Sequence, residues 1–224
     1  MKTLAPTPKS IKGFTLVEMA IVLVIVGLLI SAFLAPLSAQ RDLNDYAEVK
    51  TDLEQIREAL YGYAIINGRL PCPTTQTNPA VAGYGEEAVN CAAPIAEGYL
   101  PWKTLGVQEI DSWGAKRTAT ANPWNGYWRY RVNPEAAVPF ALNTPFAAIL
   151  SVQDSAGNAL TANAQSPLAI VYSAGKNLNP DGQNAGPFDG IYQRDVPVPT
   201  FDDVTVWISR TVLMNRMVAA GRLP

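Results

Sequence analysis

The chain has 224 residues, 48% of them apolar and only 16% charged, with a net charge of -2. It has no histidine, which removes the commonest general base, the commonest metal ligand and every Ser-His-Asp or Cys-His arrangement. Residues 1–13 carry Lys2, Lys9 and Lys12 and no acid, leaving 14 basic and 19 acidic residues and a net of -5; such a balance argues against nucleic-acid binding by bulk charge.

The first element is an apolar run, residues 14–35, behind that basic leader. At 1.5 Å per residue it covers about 33 Å, one bilayer core. The basic leader predicts an N-terminus in the cytoplasm and the rest of the chain outside. A secretory signal peptide is the competing reading. Against it stand the length of the run, the weakness of Ser31-Ala32 and Ser38-Ala39 as cleavage pairs, and Glu18 inside the run. A carboxylate at membrane depth costs several kcal/mol and calls for a partner.

Lys12-Gly13-Phe14-Thr15-Leu16-Val17-Glu18 resembles the prepilin signature of type IV pilins and type II secretion pseudopilins. The resemblance implies cleavage after Gly13 by a prepilin peptidase, which also N-methylates the new terminal Phe14. It implies filament assembly through the N-terminal helix, with the Phe14 ammonium of one subunit meeting Glu18 of another. The implied partners are other pilin or pseudopilin subunits, the peptidase/N-methyltransferase and an inner-membrane assembly platform. The implied place is the bacterial inner membrane as a single-pass protein with a periplasmic head, and then a periplasmic or surface filament, in protein secretion or in a type IV pilus.

Gly27 and Pro36 are places where the helix can loosen. Beyond them Leu43, Tyr46, Val49, Leu53, Ile56, Leu60 and Tyr63 recur at three- and four-residue steps, one stripe of an amphipathic helix. Asn67-Gly68 and Pro71 stop it. The expected helix covers about 15–66, its later part packed on a head rather than in a coiled coil. The expected segments are a leader at 1–13, a transmembrane or filament-core helix at 14–36, its amphipathic continuation at 37–67 and a globular head at 68–224.

In the head, residues 70–126 read as irregular. Leu70-Pro-Cys-Pro73, Pro101-Trp102, Leu105-Gly106, Asp111-Ser-Trp-Gly114 and Asp202-Asp203 ahead of Trp207 look like motifs of a minor pilin or pseudopilin group. Strands are predicted at Tyr127–Val132, Phe146–Val152, Leu168–Tyr172 and Val204–Ile208, with loops at 153–167 and 174–200. Ser209 is placed to cap a last helix, Arg210 to Ala220, ended by Gly221. The fold class is therefore α+β and pilin-like: a long N-terminal helix on a small antiparallel sheet.

Cys72 and Cys91 lie where an oxidising compartment permits a disulfide, or else are two buried thiols. Asn177, Asn179, Asp181, Asn184 and Asp189, with Asp202 and Asp203, supply oxygen donors near glycines, a composition that suits Ca²⁺. The segment looks similar to the calcium loop of the major pseudopilin, but Lys176 departs from it. The competing reading is a solvated loop of turn-capping residues, and no cofactor is required. Trp113, Arg117, Trp124, Tyr127, Trp128, Arg129, Tyr130 and Arg131 have the composition for stacking a nucleic-acid strand at a filament tip; core packing is the favoured reading. A tip module binding DNA, a surface or a secreted substrate is the alternative function. Glu86-Glu87 and Asp202-Asp203 are not catalytic pairs, since neighbours on a strand face opposite ways. The expected protein is a structural subunit, not an enzyme.

Overall fold

In a computed structural model, residues 13–76, 78–89, 91, 97–116, 126–186 and 189–223 are described, the side chains of residues 32–39 excepted. Helix α1 runs over Leu16–Asn67, within a residue of the expected limits. Gly68 ends it at φ 72°, its N–H returning to the Ala64 carbonyl. The backbone is helical through Gly27 and Pro36. The leader, residues 1–12, lies outside the described residues.

The chain divides into two compact units between Asn44 and Asp45. In the first, every described side chain from Gly13 to Ser31 is exposed. Among the described residues no helix is long and apolar enough to cross a membrane. The expected span of 14–35 runs past Ser31 into side chains outside the described residues.

In the second unit α1 buries Val49, Leu53, Ile56, Leu60 and Ala64, the three- and four-residue steps that keep one helical face inward. Leu43, expected on that stripe, is exposed. The stripe meets a four-stranded antiparallel sheet of order β1-β2-β4-β6: β1 (Gly98–Tyr99), β2 (Arg129–Val132), β4 (Ala169–Ser173) and β6 (Val204–Ile208). Alternation sets its two faces. Tyr130, Val132, Ala169, Val171, Val206 and Ile208 join the α1 stripe in the main core. Ile170 and Tyr172 face the other way, against Leu150, Val152 and Tyr192. That second layer is a parallel pair, β3 (Ser151–Gln153) with β5 (Ile191–Gln193), which the sequence reading did not contain. Phe146–Leu150, expected as strand, is irregular up to Ser151.

A short helix α2 (Trp102–Leu105) and a terminal helix α3 (Arg210–Ala219) complete the head. Ser209 occupies the N-cap of α3, but its side chain makes no capping bond. Leu213 and Met217 of α3 are buried in the main core, and Arg216 forms a two-bonded ion pair with Glu58 while lying over the Tyr61 ring. Cys72 and Cys91 are joined as a disulfide. Its loop is also held by Glu87, which takes two bonds from Arg69, one from the Tyr63 hydroxyl and one from the Cys72 amide.

Candidate functional site

The N-terminal site is built on a reciprocal helix cap. Leu16 is the first residue of α1, so Thr15 occupies its N-cap and Glu18 its third position. The Thr15 amide and hydroxyl both donate to Glu18 Oε2 at 2.9 Å, and the Glu18 amide donates to Thr15 Oγ1 at 3.2 Å. This is the capping box, in which two orphan amides of the first turn are satisfied by each other's side chains. The signal for it is local, Thr15-Leu-Val-Glu18. Glu18 is thus held against the backbone one residue from Phe14, while its Oε1 makes no hydrogen bond among the described residues. Phe14, Leu16 and Val17 around it are exposed.

The acidic loop has the second distinctive geometry. Asp181, Asp202 and Asp203 place one carboxylate oxygen each within 4.8 Å of the others. Asp202 and Asp203 were expected to face opposite ways, as on a strand. They precede β6, outside the strand ladder, and both bring a carboxylate oxygen near Asp181. The Asp203 side chain is fixed by the Asp181 amide and the Asn184 carboxamide, each 2.9 Å from Oδ2. Among the described residues, its Oδ1 and the Oδ1 of Asp202 are buried without a hydrogen-bond partner. Asp203 is 1% exposed, and that burial pushes its carboxyl up to about 7, with Asp181 and Asp202 adding to the rise.

Of the other four expected donors, Asn177, Asn184 and Asp189 each have a side-chain oxygen bonded to a backbone amide, and Asn179 uses its carboxamide nitrogen. Asn177 donates to Asp181 and to Asp202 Oδ2, and its own oxygen accepts from the Asn179 amide. The Asn179 carboxamide donates to the Asn177 carbonyl. The Asn184 oxygen accepts from the Gln193 amide, and Asp189 caps the Ile191 amide. Three carboxylates, two with orphaned buried oxygens, form a donor set that fits a hard divalent cation, which takes six to eight oxygens.

The aromatic and basic group is distributed through the head. Trp128 and Tyr130 are buried beneath α1, and Tyr127 is buried in a separate cluster with Tyr84 and Trp102. Trp113 packs edge-on to Tyr46 at 4.8 Å. Arg129 pairs with Glu97 at 3.2 Å, whose two oxygens also accept from the Tyr172 and Tyr192 hydroxyls. Arg117 and Trp124 lie outside the described residues. Glu86 is exposed, and Glu87 serves the disulfide loop. Glu97 was not singled out in the sequence, because nothing local distinguishes it from a surface acid.

Residues 8–34 match a family described as "Prokaryotic N-terminal methylation motif", the type IV pilin and pseudopilin signature. The match ends before the head begins. No curated protein and no solved structure matches the chain.

Proposed function

We propose that this chain is a structural subunit, a minor pilin or pseudopilin, of a type IV pilus-like or type II secretion filament. Prepilin peptidase removes residues 1–13 and methylates Phe14. Residues 14–36 anchor the protein in the inner membrane and then form the filament core. Residues 37–67 carry the helix onward, and the head, residues 68–224, lies on the periplasmic side. The observation that carries this reading is the Thr15–Glu18 box directly behind the motif's Gly13-Phe14, at the foot of a helix whose side chains up to Ser31 are exposed on every side. Glu18 stabilises its own helix start with Oε2 and offers Oε1 to the ammonium that cleavage creates on a neighbouring Phe14. A charge pair of that kind holds in a dry core only with both partners present.

Glu18→Gln separates the two roles, since glutamine keeps the capping box and loses the charge. Cleavage after Gly13, read by mass spectrometry of the N-terminus, should be unchanged. Incorporation into filaments should fall about tenfold, the factor given by about 1.4 kcal/mol of lost pairing. Wild-type incorporation of the variant would sink the counter-charge role.

A second reading concerns the acidic loop. Asp181, Asp202 and Asp203 are proposed to hold Ca²⁺, supported by the two orphaned carboxylate oxygens. The ion would supply a counter-charge to the three carboxylates. Calorimetric titration of the full-length processed protein with CaCl₂ at pH 7.5 should give one site, and Asp202→Asn should weaken it at least about tenfold. Absence of heat with the wild type, or an unchanged variant, refutes the site.

A further inference from the structure

Helices α1 and α3 are joined by the Arg216–Glu58 pair, and beside it lies a cavity of about 220 Å³. Its polar lining is Glu54, Arg57 and Tyr61 from α1, Arg216 from α3, and Arg194 and Ser209. Three cations thus share the lining with one carboxylate, and that carboxylate is paired with Arg57. Glu58 lies outside the lining; adding it still leaves three cations to two acids. The Tyr61 hydroxyl supplies no counter-charge. Burial lifts its pKa above the usual value, while the charges of Arg57 and Arg216 act on it in the opposite sense.

Donors outnumber acceptors around this cavity. A guanidinium carries five N–H donors, and Arg216 places two of them on Glu58. Arg57 Nε is buried without a hydrogen-bond partner among the described residues, a state that costs about 1–3 kcal/mol. Arg194 makes no ion pair among the described residues, and the Ser209 side chain makes no capping bond. Two of the three guanidinium groups are held in place by rings. Arg216 lies over Tyr61, 4.3 Å from its centroid, and Arg194 over Trp207 at 5.1 Å. Stacking fixes a planar cation and leaves its N–H edges open to a ligand, so little side-chain ordering remains to oppose binding.

We propose that this cavity binds a phosphate group, free or at the end of a phosphomonoester, with Arg57, Arg194 and Arg216 as its counter-charges and Ser209 as a neutral donor. The three cations come from three places in the chain: α1, the segment after β5, and α3. A tetrahedral group with three strong acceptor oxygens and a charge of about −1.5 to −2 can answer donors from several directions, and guanidinium forks match its oxygens in pairs. A flat carboxylate offers only two oxygens. The volume equals that of about seven waters. It admits a phosphate group with a few waters and falls below the roughly 300–1,000 Å³ of sites that enclose drug-sized ligands, so the carrier of an esterified phosphate would stay outside. The site belongs to the head and depends on neither the filament reading nor the calcium reading.

The test is calorimetric titration of the full-length processed protein in detergent micelles with sodium phosphate, in HEPES at pH 7.5, at constant chloride and with EDTA so that no calcium bridges the anion. One site, half-saturated at or below about 1 mM, is expected. Arg194→Gln and Arg57→Gln should each weaken binding at least about tenfold. Arg194→Gln breaks no described ion pair, so it keeps the test decisive if Arg57→Gln alters the fold. Lys50→Gln removes an exposed cation outside the lining and should leave binding unchanged. Glycerol 3-phosphate distinguishes the two sources: tighter binding than phosphate assigns the site to an esterified group, and weaker binding assigns it to the free ion. Sodium acetate binding as tightly as phosphate overturns the choice of phosphate. The proposal as a whole is overturned if neither phosphate compound binds saturably, or if Arg194→Gln binds like the wild type. Equal losses in Lys50→Gln and Arg194→Gln overturn it too, since a general surface field would then account for the binding.

Discussion

Asp111 is a carboxyl placed to make the head lose stability as pH rises. It is 5% exposed. The Ser173 hydroxyl donates to its Oδ2 at 2.5 Å and the Trp113 amide to its Oδ1 at 3.1 Å. Burial outweighs these bonds, and with the charge of Asp52 it pushes the carboxyl up to about 6. The direction follows from linkage. An acid whose folded value lies above its unfolded 3.8 holds a proton that the unfolded chain has released, so stability falls between the two values as pH increases. At about 1.4 kcal/mol per unit, moving from pH 4.5 to 7.5 removes about 2 kcal/mol through this residue, a large share of the 5–15 kcal/mol typical of a domain. Asp203 acts in the same direction, so the wild-type curve alone does not isolate Asp111. Asp111→Asn does, because it keeps the shape and removes the charge. Urea unfolding of the processed protein with EDTA, followed by tryptophan fluorescence at both pH values, gives the comparison. The variant should lose about 2 kcal/mol less than the wild type over that interval. Parallel losses in the two proteins would refute the claim that Asp111 is ionised at a cost.

Two further perturbations probe the irregular half of the head. Replacing Cys72 and Cys91 together by serine frees a loop closed over 19 residues and should cost about 3 kcal/mol in denaturant unfolding; an unchanged midpoint would mean that the Arg69–Glu87 contacts hold the loop alone. Gly85→Ala places a Cβ 2.4 Å from Trp102 Cε2 at φ 77°, so backbone strain and overpacking together should cost about 2–4 kcal/mol by the same assay.

The long helix was legible because its evidence is local. Val49, Leu53, Ile56, Leu60 and Ala64 repeat at helical spacing, and Asn67-Gly68 stops the chain at a position needing positive φ. Strands β2, β4 and β6 were legible for a similar reason: β2 alternates Tyr130 and Val132 with Arg129 and Arg131, and β4 and β6 are short runs rich in β-branched and aromatic residues. Strand β5 was not. Ile191-Tyr192-Gln193 sits in a stretch rich in Asn, Gly and Pro, and its structure comes from parallel pairing with Ser151–Gln153, forty residues away in sequence. Glu97 was illegible on the same grounds, since its partners Arg129, Tyr172 and Tyr192 come from three different strands.

The two candidate sites divide along the same line. The N-terminal one lies within four residues, Thr15 to Glu18, and a T-x-x-E reading alone suffices to place its hydrogen bonds. The acidic loop was visible only as composition. Its seven oxygen-bearing residues look equivalent in sequence, and the fold separates them by what else each must do. Asn177, Asn179, Asn184 and Asp189 bond the amides and carbonyls of a turn-rich segment, and the carboxamides of Asn177 and Asn184 also brace Asp181 and Asp203. Asp181, Asp202 and Asp203 converge, the last two outside the strand ladder just before β6 begins. Asp202 and Asp203 each keep an oxygen that no hydrogen bond reaches among the described residues. A surface carboxylate left unpaired costs nothing in water, but a buried one does, so it is burial, supplied by the sheet and invisible in the sequence, that turns an ordinary polar loop into a candidate cation site.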